Sequence, residues 1–131
     1  MGVFVNREHL RVLVVEDELL IRWSIAETLT EAGHEVVQAA DAASAVRELS
    51  HGNDPDVVLL DLRLPDSSDL SLLSNVRRLS PRSAVVLMTA FGTPEVTAEA
   101  LHLGASEVMS KPFDIHLVEP TLRRAYTTHP H

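Results

Sequence analysis

The chain has 131 residues, 45% of them hydrophobic, which is enough for one domain with an apolar core. The absence of cysteine excludes disulfides, thiolate nucleophiles and cysteine-based zinc sites, and it suits the reducing cytoplasm, where we expect the protein. The formal net charge is −8 and no apolar run approaches the ~20 residues of a membrane span, so we expect neither direct nucleic acid binding nor membrane insertion.

Strand and helix patterns alternate five times along the chain. Short apolar runs predict β-strands at residues 11–15, 35–39, 57–60, 84–88 and 106–109. Apolar residues at helical spacing predict a helix after each strand, at residues 19–32, 41–49, 72–79, 93–103 and 114–126. Asp41 and Thr93 are suited to cap the second and fourth helices, and Gly33 and Gly104 are placed to end the first and fourth.

The last helix contains a proline at a difficult position. If Asp114 caps this helix, Pro120 lies in the helix interior, where its ring removes a hydrogen bond. The missing N–H is harmless only in the first turn of a helix. We therefore expect an irregular first turn or a helix that starts near Leu117.

The third and fourth strands are apolar throughout instead of alternating with polar residues. This pattern is typical of parallel strands buried on both faces, and with alternating helices it predicts a doubly wound α/β fold. Such sheets bind ligands at the carboxyl ends of their strands. Asp17, Asp61, Thr89 and Lys111 all follow predicted strands, so we expect them at this edge.

These residues could form a site for a cation and a phosphoryl group. Glu16, Asp17 and Asp61 are hard oxygen ligands that repel one another, and Mg²⁺ would relieve the repulsion. A cation would also screen Asp61 from an incoming phosphoryl group, so that this carboxylate could act as a nucleophile. Lys111 and Thr89 offer donors for the phosphoryl oxygens.

Four motifs occur in order along the chain: VVEDE at residues 14–18, LLDLRLP at residues 59–65, MTA at residues 88–90 and KPF at residues 111–113. Together they resemble the response-regulator receiver domain, the phosphoacceptor module of two-component signalling. The resemblance extends over residues 9–127 and leaves tails at residues 1–8 and 128–131. It implies a flavodoxin-like, doubly wound five-stranded parallel sheet of order 2-1-3-4-5 with five helices.

The resemblance also implies a set of metal ligands. Asp17 would bind Mg²⁺ directly, together with the phosphoacceptor Asp61. Glu16 would act through a water molecule. It replaces a common aspartate, and its extra methylene is compatible with that role. The backbone carbonyl of Arg63 would complete the protein ligands.

The resemblance further implies that Asp61 accepts a phosphoryl group from the phosphohistidine of a sensor histidine kinase. Thr89 and Lys111 would hold the phosphoryl oxygens, and the bond between Lys111 and Pro112 would be cis. The chain would then be a signalling switch that catalyses only its own phosphorylation and dephosphorylation.

Two departures from the family pattern affect the loop after Asp61 and the output of the switch. The loop at residues 65–70 lacks the glycines that are frequent there, so its backbone must avoid positive φ or rely on aspartate to tolerate it. Val108 stands where many receivers carry tyrosine or phenylalanine, whose ring rotates as the residue equivalent to Thr89 moves. The usual form of that switch therefore cannot operate.

A narrower resemblance concerns residues 20–24 and 111–114, which are similar to the nitrogen-regulation subfamily of receivers. There the receiver usually precedes an ATPase and a DNA-binding domain, which indicates a role in transcription regulation. By analogy with the family, Leu101 and Val108 would belong to a homodimer face on the fourth helix and fifth strand.

Two other functions compete with the switch. A phosphatase with an aspartyl nucleophile favours a second acid two residues later, where this chain has Arg63. A pseudo-receiver would keep the fold without phosphorylation, although this chain retains the acceptor, acids, threonine and lysine. The seven histidines show no metal-binding spacing, so we expect them at the surface, and we expect Trp23 to be partly buried.

Overall fold

The computed structural model describes residues 9–52, 54–90 and 92–129. Five strands occupy the middle of the fold: β1 (Arg11–Val15), β2 (Glu35–Ala39), β3 (Val57–Asp61), β4 (Ala84–Thr89) and β5 (Glu107–Ser110). Each strand is followed by a helix: α1 (Leu19–Glu31), α2 (Ala42–Ser50), α3 (Ser71–Leu79), α4 (Pro94–His102) and α5 (Val118–Thr128). All ten predicted elements are present, with ends that differ from the predictions by only a few residues.

The strands form one parallel sheet of order β2-β1-β3-β4-β5. This order confirms the doubly wound, flavodoxin-like fold predicted from the sequence. The order reverses between β1 and β3, so the loops that follow these two strands diverge to opposite faces of the sheet. The crevice between them lies beside the carboxyl ends of both strands, which is where such folds bind ligands.

The core consists of two apolar layers on opposite faces of the sheet. Successive strand residues point to opposite faces, so Leu59 and Leu60 enter different layers although both are buried. Helices α1 and α5 cover one face and α2, α3 and α4 cover the other. This double burial explains why β3 and β4 are apolar along their whole length.

The irregular start predicted for the last helix is confirmed. A 3₁₀ turn, Ile115–Leu117, precedes α5, and the Asp114 side chain accepts a hydrogen bond from the N–H of His116. Pro120 is the third residue of α5. A helix leaves its first four N–H groups without intrahelical partners, so this position tolerates a residue that has no N–H.

Three expectations about exposure were wrong. His34 and His129 are buried, because their ring nitrogens have hydrogen-bond partners inside the protein. His34 bonds the N–H of Leu10 and the side chain of Glu119. His129 bonds the carbonyl of Pro81. Trp23 is 55% exposed instead of partly buried, because α1 turns its buried residues, Ile25, Ala26 and Leu29, toward the sheet and Trp23 outward.

Within the described ranges, no helix combines the length and the apolar character needed to cross a membrane.

Candidate functional site

Asp61 is the last residue of β3 and lies opposite Met88 of β4 in the parallel register. The residue is only 5% exposed. One carboxylate oxygen, Oδ1, accepts a hydrogen bond from the N–H of Arg63 at 3.2 Å, and the other, Oδ2, from the Lys111 ammonium at 3.2 Å. The apolar strand therefore delivers an oriented carboxylate to the carboxyl edge of the sheet.

Glu16 and Asp17 follow directly after β1, the neighbour of β3. Glu16 is completely buried and Asp17 is exposed. One carboxylate oxygen from each of Glu16, Asp17 and Asp61 lies within 4.8 Å of the other two. Hard oxygen donors at this spacing fit a small divalent cation such as Mg²⁺, which prefers one or two direct carboxylates and several waters.

Both carboxylate oxygens of Glu16 have hydrogen-bond partners. Oε1 lies 2.5 Å from the Lys111 nitrogen, and Oε2 accepts the N–H of Glu18 at 3.2 Å. Burial, reinforced by the neighbouring carboxyl group of Asp61, raises the pKa of Glu16, and the bonds from Lys111 and Glu18 only partly oppose this effect. Proton uptake by Glu16 therefore competes with cation binding.

Lys111 reaches the acids from the loop after β5. Its N–H donates to the carbonyl of Thr89 at 2.7 Å, and its bond to Pro112 is cis, as the family resemblance implied. Burial opposes its charge, but the hydrogen bond to Glu16 and the charges of Asp61 and Glu16 outweigh burial and raise the pKa of Lys111. Lys111 is the only lysine of the chain.

Thr89 ends β4 at the same edge of the sheet and is 1% exposed. It stands one residue beyond Met88, the register partner of Asp61. Arg63 is exposed, and its N–H faces the Asp61 carboxylate. Direct contacts thus join Glu16, Asp61 and Lys111, and Asp17 lies within 4.8 Å of the two acids. The fold brings Thr89 and Arg63 to the adjoining strand end and loop.

The glycine-free loop after β3 closes without strain. Leu64 and Ser67 pair in a small antiparallel bridge, and no non-glycine residue in the described ranges has a positive φ. The intervening Asp66 accepts the N–H groups of Ala42 and Ala43, at 2.8 and 3.0 Å, at the start of α2. We missed this capping role because the partner helix is distant in sequence.

Sequence reasoning also missed Arg22 of α1. Its Nη1 donates to the carbonyl oxygen of Glu16 at 2.9 Å, and its Nε donates to the side chain of Gln38 at 3.1 Å. A cation one turn into a helix that follows an acidic strand end was the available signal.

Val108 lies in β5 opposite Leu87 of β4 and is partly buried against the apolar layer that α2, α3 and α4 cover. Leu101 of α4 is 47% exposed nearby in sequence. The aliphatic side chain of Val108 thus occupies the position where many receivers carry tyrosine or phenylalanine.

A parallel sheet of order β2-β1-β3-β4-β5 with an acidic pocket where the strand order reverses is the arrangement that the resemblance to receiver domains implied. Comparison with known proteins agrees with this class. Residues 12–123 match the model of the response regulator receiver domain family, and the chain belongs to that family. Receiver domains are signalling domains, and this chain is a phosphorylation-dependent signalling switch rather than a classical enzyme.

Several characterised proteins are similar over most of this chain. The transcriptional regulatory protein PdtaR of Mycobacterium tuberculosis is 36% identical over 118 residues, which cover 88% of this chain and 56% of that protein. Sporulation initiation phosphotransferase F of Bacillus subtilis is 29% identical over 114 residues, covering 87% of this chain and 91% of that protein. This chain therefore spans only about half the length of PdtaR.

A solved structure supports the fold independently. The crystal structure of NtrX from Brucella abortus superimposes with a TM-score of 0.82 at 32% identity, covering 92% of this chain and 27% of that protein. This neighbour agrees with the narrower resemblance to nitrogen-regulation receivers.

Proposed function

We propose that Asp61 is the phosphoacceptor of this switch and that Mg²⁺ binds beside it. The ligands would be Asp17, Asp61 and the backbone carbonyl of Arg63, with Glu16 acting through water. The convergence of three carboxylates and the Lys111 ammonium at one strand edge carries this proposal. Carboxylates this close disfavour one another's ionised form, and a bound divalent cation would relieve that repulsion.

The reaction we propose is transfer of a phosphoryl group from phosphohistidine. A bond forms between an Asp61 oxygen and phosphorus while the phosphorus–nitrogen bond breaks, and its electron pair leaves with the imidazole. Bound Mg²⁺ would supply positive charge opposite the phosphoryl oxygens. Lys111, already 3.2 Å from Asp61, and the Thr89 hydroxyl would bind those oxygens. The chain would promote only its own phosphorylation and dephosphorylation.

The proposed donor is a sensor histidine kinase in the cytoplasm, and an apolar surface beside the site supports its docking. Leu19, Leu20 and Trp23 of α1 are each more than half exposed. A groove of about 410 Å³ begins at Leu20 and reaches Lys111; its walls are Leu20, Ile21, Ser24, Ala90, Lys111, Pro112, Phe113 and Ile115. A phosphohistidine on an apolar helical surface would reach Asp61 from this side.

The proposed output is transcription regulation through a neighbouring segment or partner, as the names of PdtaR and other relatives describe for those proteins. A homodimer through α4 and β5 is the second part of this proposal, supported by the exposure of Leu101 on α4 and the partial exposure of Val108 on β5. Leu101→Glu should abolish any dimer that forms on phosphorylation, as measured by analytical ultracentrifugation. A dimer that persists in this variant would exclude this face.

Labelling by a small phosphodonor tests the acceptor. With acetyl phosphate and Mg²⁺, the wild-type protein should gain the mass of one phosphoryl group, and Asp61→Asn should gain none. Asp69→Asn is the matched control, because Asp69 is an exposed carboxylate in the same loop and should not affect labelling. Labelling of Asp61→Asn would refute the assignment, and an unlabelled wild-type protein would favour a pseudo-receiver.

A further inference from the structure

We infer that Arg22 is a positioning residue for the acidic site: its guanidinium fixes the peptide unit between Glu16 and Asp17 and thereby orients the cation ligands. The inference rests on the proposed Mg²⁺ site and adds to it a residue of α1 that touches neither the phosphoryl group nor the cation.

The first step concerns the backbone at the end of β1. The N–H of Glu16 donates to the carbonyl of Ala39 at 3.0 Å, which extends the pairing of β1 with β2 by one residue. The Glu16 carbonyl accepts a hydrogen bond from Nη1 of Arg22 at 2.9 Å. Both polar groups of the Glu16 main chain are therefore held, the N–H by β2 and the carbonyl by α1.

The second step follows from peptide planarity. The carbonyl of Glu16 and the N–H of Asp17 belong to one rigid unit. A hydrogen bond that fixes this carbonyl restricts ψ of Glu16 and φ of Asp17 together. It thereby limits the directions in which the exposed Asp17 carboxylate can point and keeps it near the buried carboxylate of Glu16.

The third step concerns charge. The guanidinium of Arg22 is positive at all ordinary pH values. It places a positive charge at the backbone carbonyl of Glu16, whereas Lys111 places its charge at the carboxylate oxygens. A cation held by Asp17 and Asp61, with Glu16 acting through water, would displace the ammonium of Lys111 from the oxygens of Glu16 and Asp61, but it would leave the contact of Arg22 with the carbonyl intact.

The fourth step is the anchoring of Arg22 itself. Arg22 lies one turn after Glu18, and its backbone N–H donates to the carbonyl of Glu18 at 3.0 Å. Its Nε donates to Gln38 of β2 at 3.1 Å. These contacts hold the guanidinium in one orientation, as a group that orients a metal ligand requires.

Two truncations test the role of the donor. Arg22→Met keeps much of the apolar stem and Arg22→Ala removes it, and both lack the guanidinium. Loss of a residue that orients metal ligands typically weakens metal binding by about 10- to 100-fold, and we expect about tenfold weaker Mg²⁺ binding by calorimetry. Arg22→Lys should recover part of this loss, since an ammonium can reach the carbonyl without also bonding Gln38.

A second readout needs no metal. In the metal-free protein, the amide of Glu18, which donates to the Glu16 carboxylate, should exchange with solvent about fivefold faster in either truncation. Gln38→Ala, which removes an anchor of the guanidinium but leaves the carbonyl bond in place, should change both readouts less than the truncations do. Arg47→Ala, which removes an exposed arginine of α2, should change each readout less than twofold.

The inference would be overturned if a truncation variant that folds bound Mg²⁺ with wild-type affinity and showed the wild-type rate of amide exchange at Glu18. It would equally fail if Gln38→Ala matched the truncations, because anchoring of α1 to β2 would then explain the effect. Neither readout requires phosphorylation. A wild-type protein that is never labelled would therefore refute the proposed acceptor role and leave the assignment of Arg22 to be judged by its own results.

Discussion

The Lys111 ammonium bridges two carboxylates and lies nearer to Glu16 than to Asp61, at 2.5 Å from Oε1 of the first and 3.2 Å from Oδ2 of the second. In this arrangement lysine occupies part of the space that the proposed Mg²⁺ would need. We therefore expect this one contact to affect both the stability of the acidic site and its affinity for Mg²⁺.

Replacing Lys111 with methionine should separate these consequences. We expect Mg²⁺ to bind about tenfold more tightly, because a competing positive charge leaves the acids. The free energy of unfolding of the metal-free protein should fall by about 2–3 kcal/mol, since Glu16 remains buried without its cation. Calorimetry and urea denaturation measure the two effects. Lys111→Arg keeps the charge and serves as control; weaker Mg²⁺ binding by Lys111→Met would contradict the competition.

The pH dependence of the metal-free protein should report the buried Glu16. Burial and the neighbouring Asp61 raise its pKa above the ordinary 4.5, so the folded protein binds a proton that the unfolded chain has released. The free energy of unfolding should therefore contain a component that falls as pH rises from 4.5 through the raised value.

Urea denaturation of wild type and Glu16→Gln across this range isolates that component. The neutral amide cannot titrate, so the corresponding slope should disappear in the variant. Saturating Mg²⁺ should also remove the slope in the wild-type protein, because the bound cation favours the ionised acid. An identical pH dependence for wild type and variant would argue against a raised pKa at Glu16.

Asp66 connects the loop after Asp61 to α2, and its removal should weaken that helix. Asp66→Ala leaves the N–H groups of Ala42 and Ala43 without their carboxylate, and loss of such a cap costs about 1 kcal/mol of unfolding free energy. Amide exchange at Ala42 and Ala43 should accelerate. Asp69→Ala removes the acceptor of the Ser71 N–H at the start of α3 and should leave the α2 amides protected; equal acceleration in both variants would exclude a specific link.

His34 should stabilise the fold through contacts that do not involve Glu16, Asp17 or Asp61. Its Nδ1 accepts the N–H of Leu10 at 2.9 Å, so Nε2 carries the proton and donates to Glu119 at 3.1 Å. His34→Ala leaves the buried Leu10 N–H without this acceptor, at a cost of about 2 kcal/mol in urea denaturation. His51→Ala changes an exposed histidine and should cost less than about 0.5 kcal/mol. Equal costs would show that the buried contacts contribute little.

Much of the site could be predicted because each residue occupies a simple position in a repeating pattern. An acid at the end of an apolar strand must emerge at the strand's carboxyl edge, and this placed Asp61 and the pair Glu16 and Asp17 correctly. The single lysine of the chain, which precedes Pro112, could be placed at the same edge because it follows the predicted fifth strand. The proline at position 120 likewise constrained the start of α5 through its missing N–H.

The amino-acid sequence alone determined the elements, the parallel sheet and the chemical types of the site residues, since local periodicity, caps and prolines act over a few residues. The tertiary structure decided which polar groups became partners: Lys111 with Glu16, Arg22 with the Glu16 carbonyl, and His34 with Leu10 and Glu119. These pairs join segments that meet only after the helices pack on the sheet. Burial then makes a partner necessary, because an unpaired polar group costs far more inside a protein than in water.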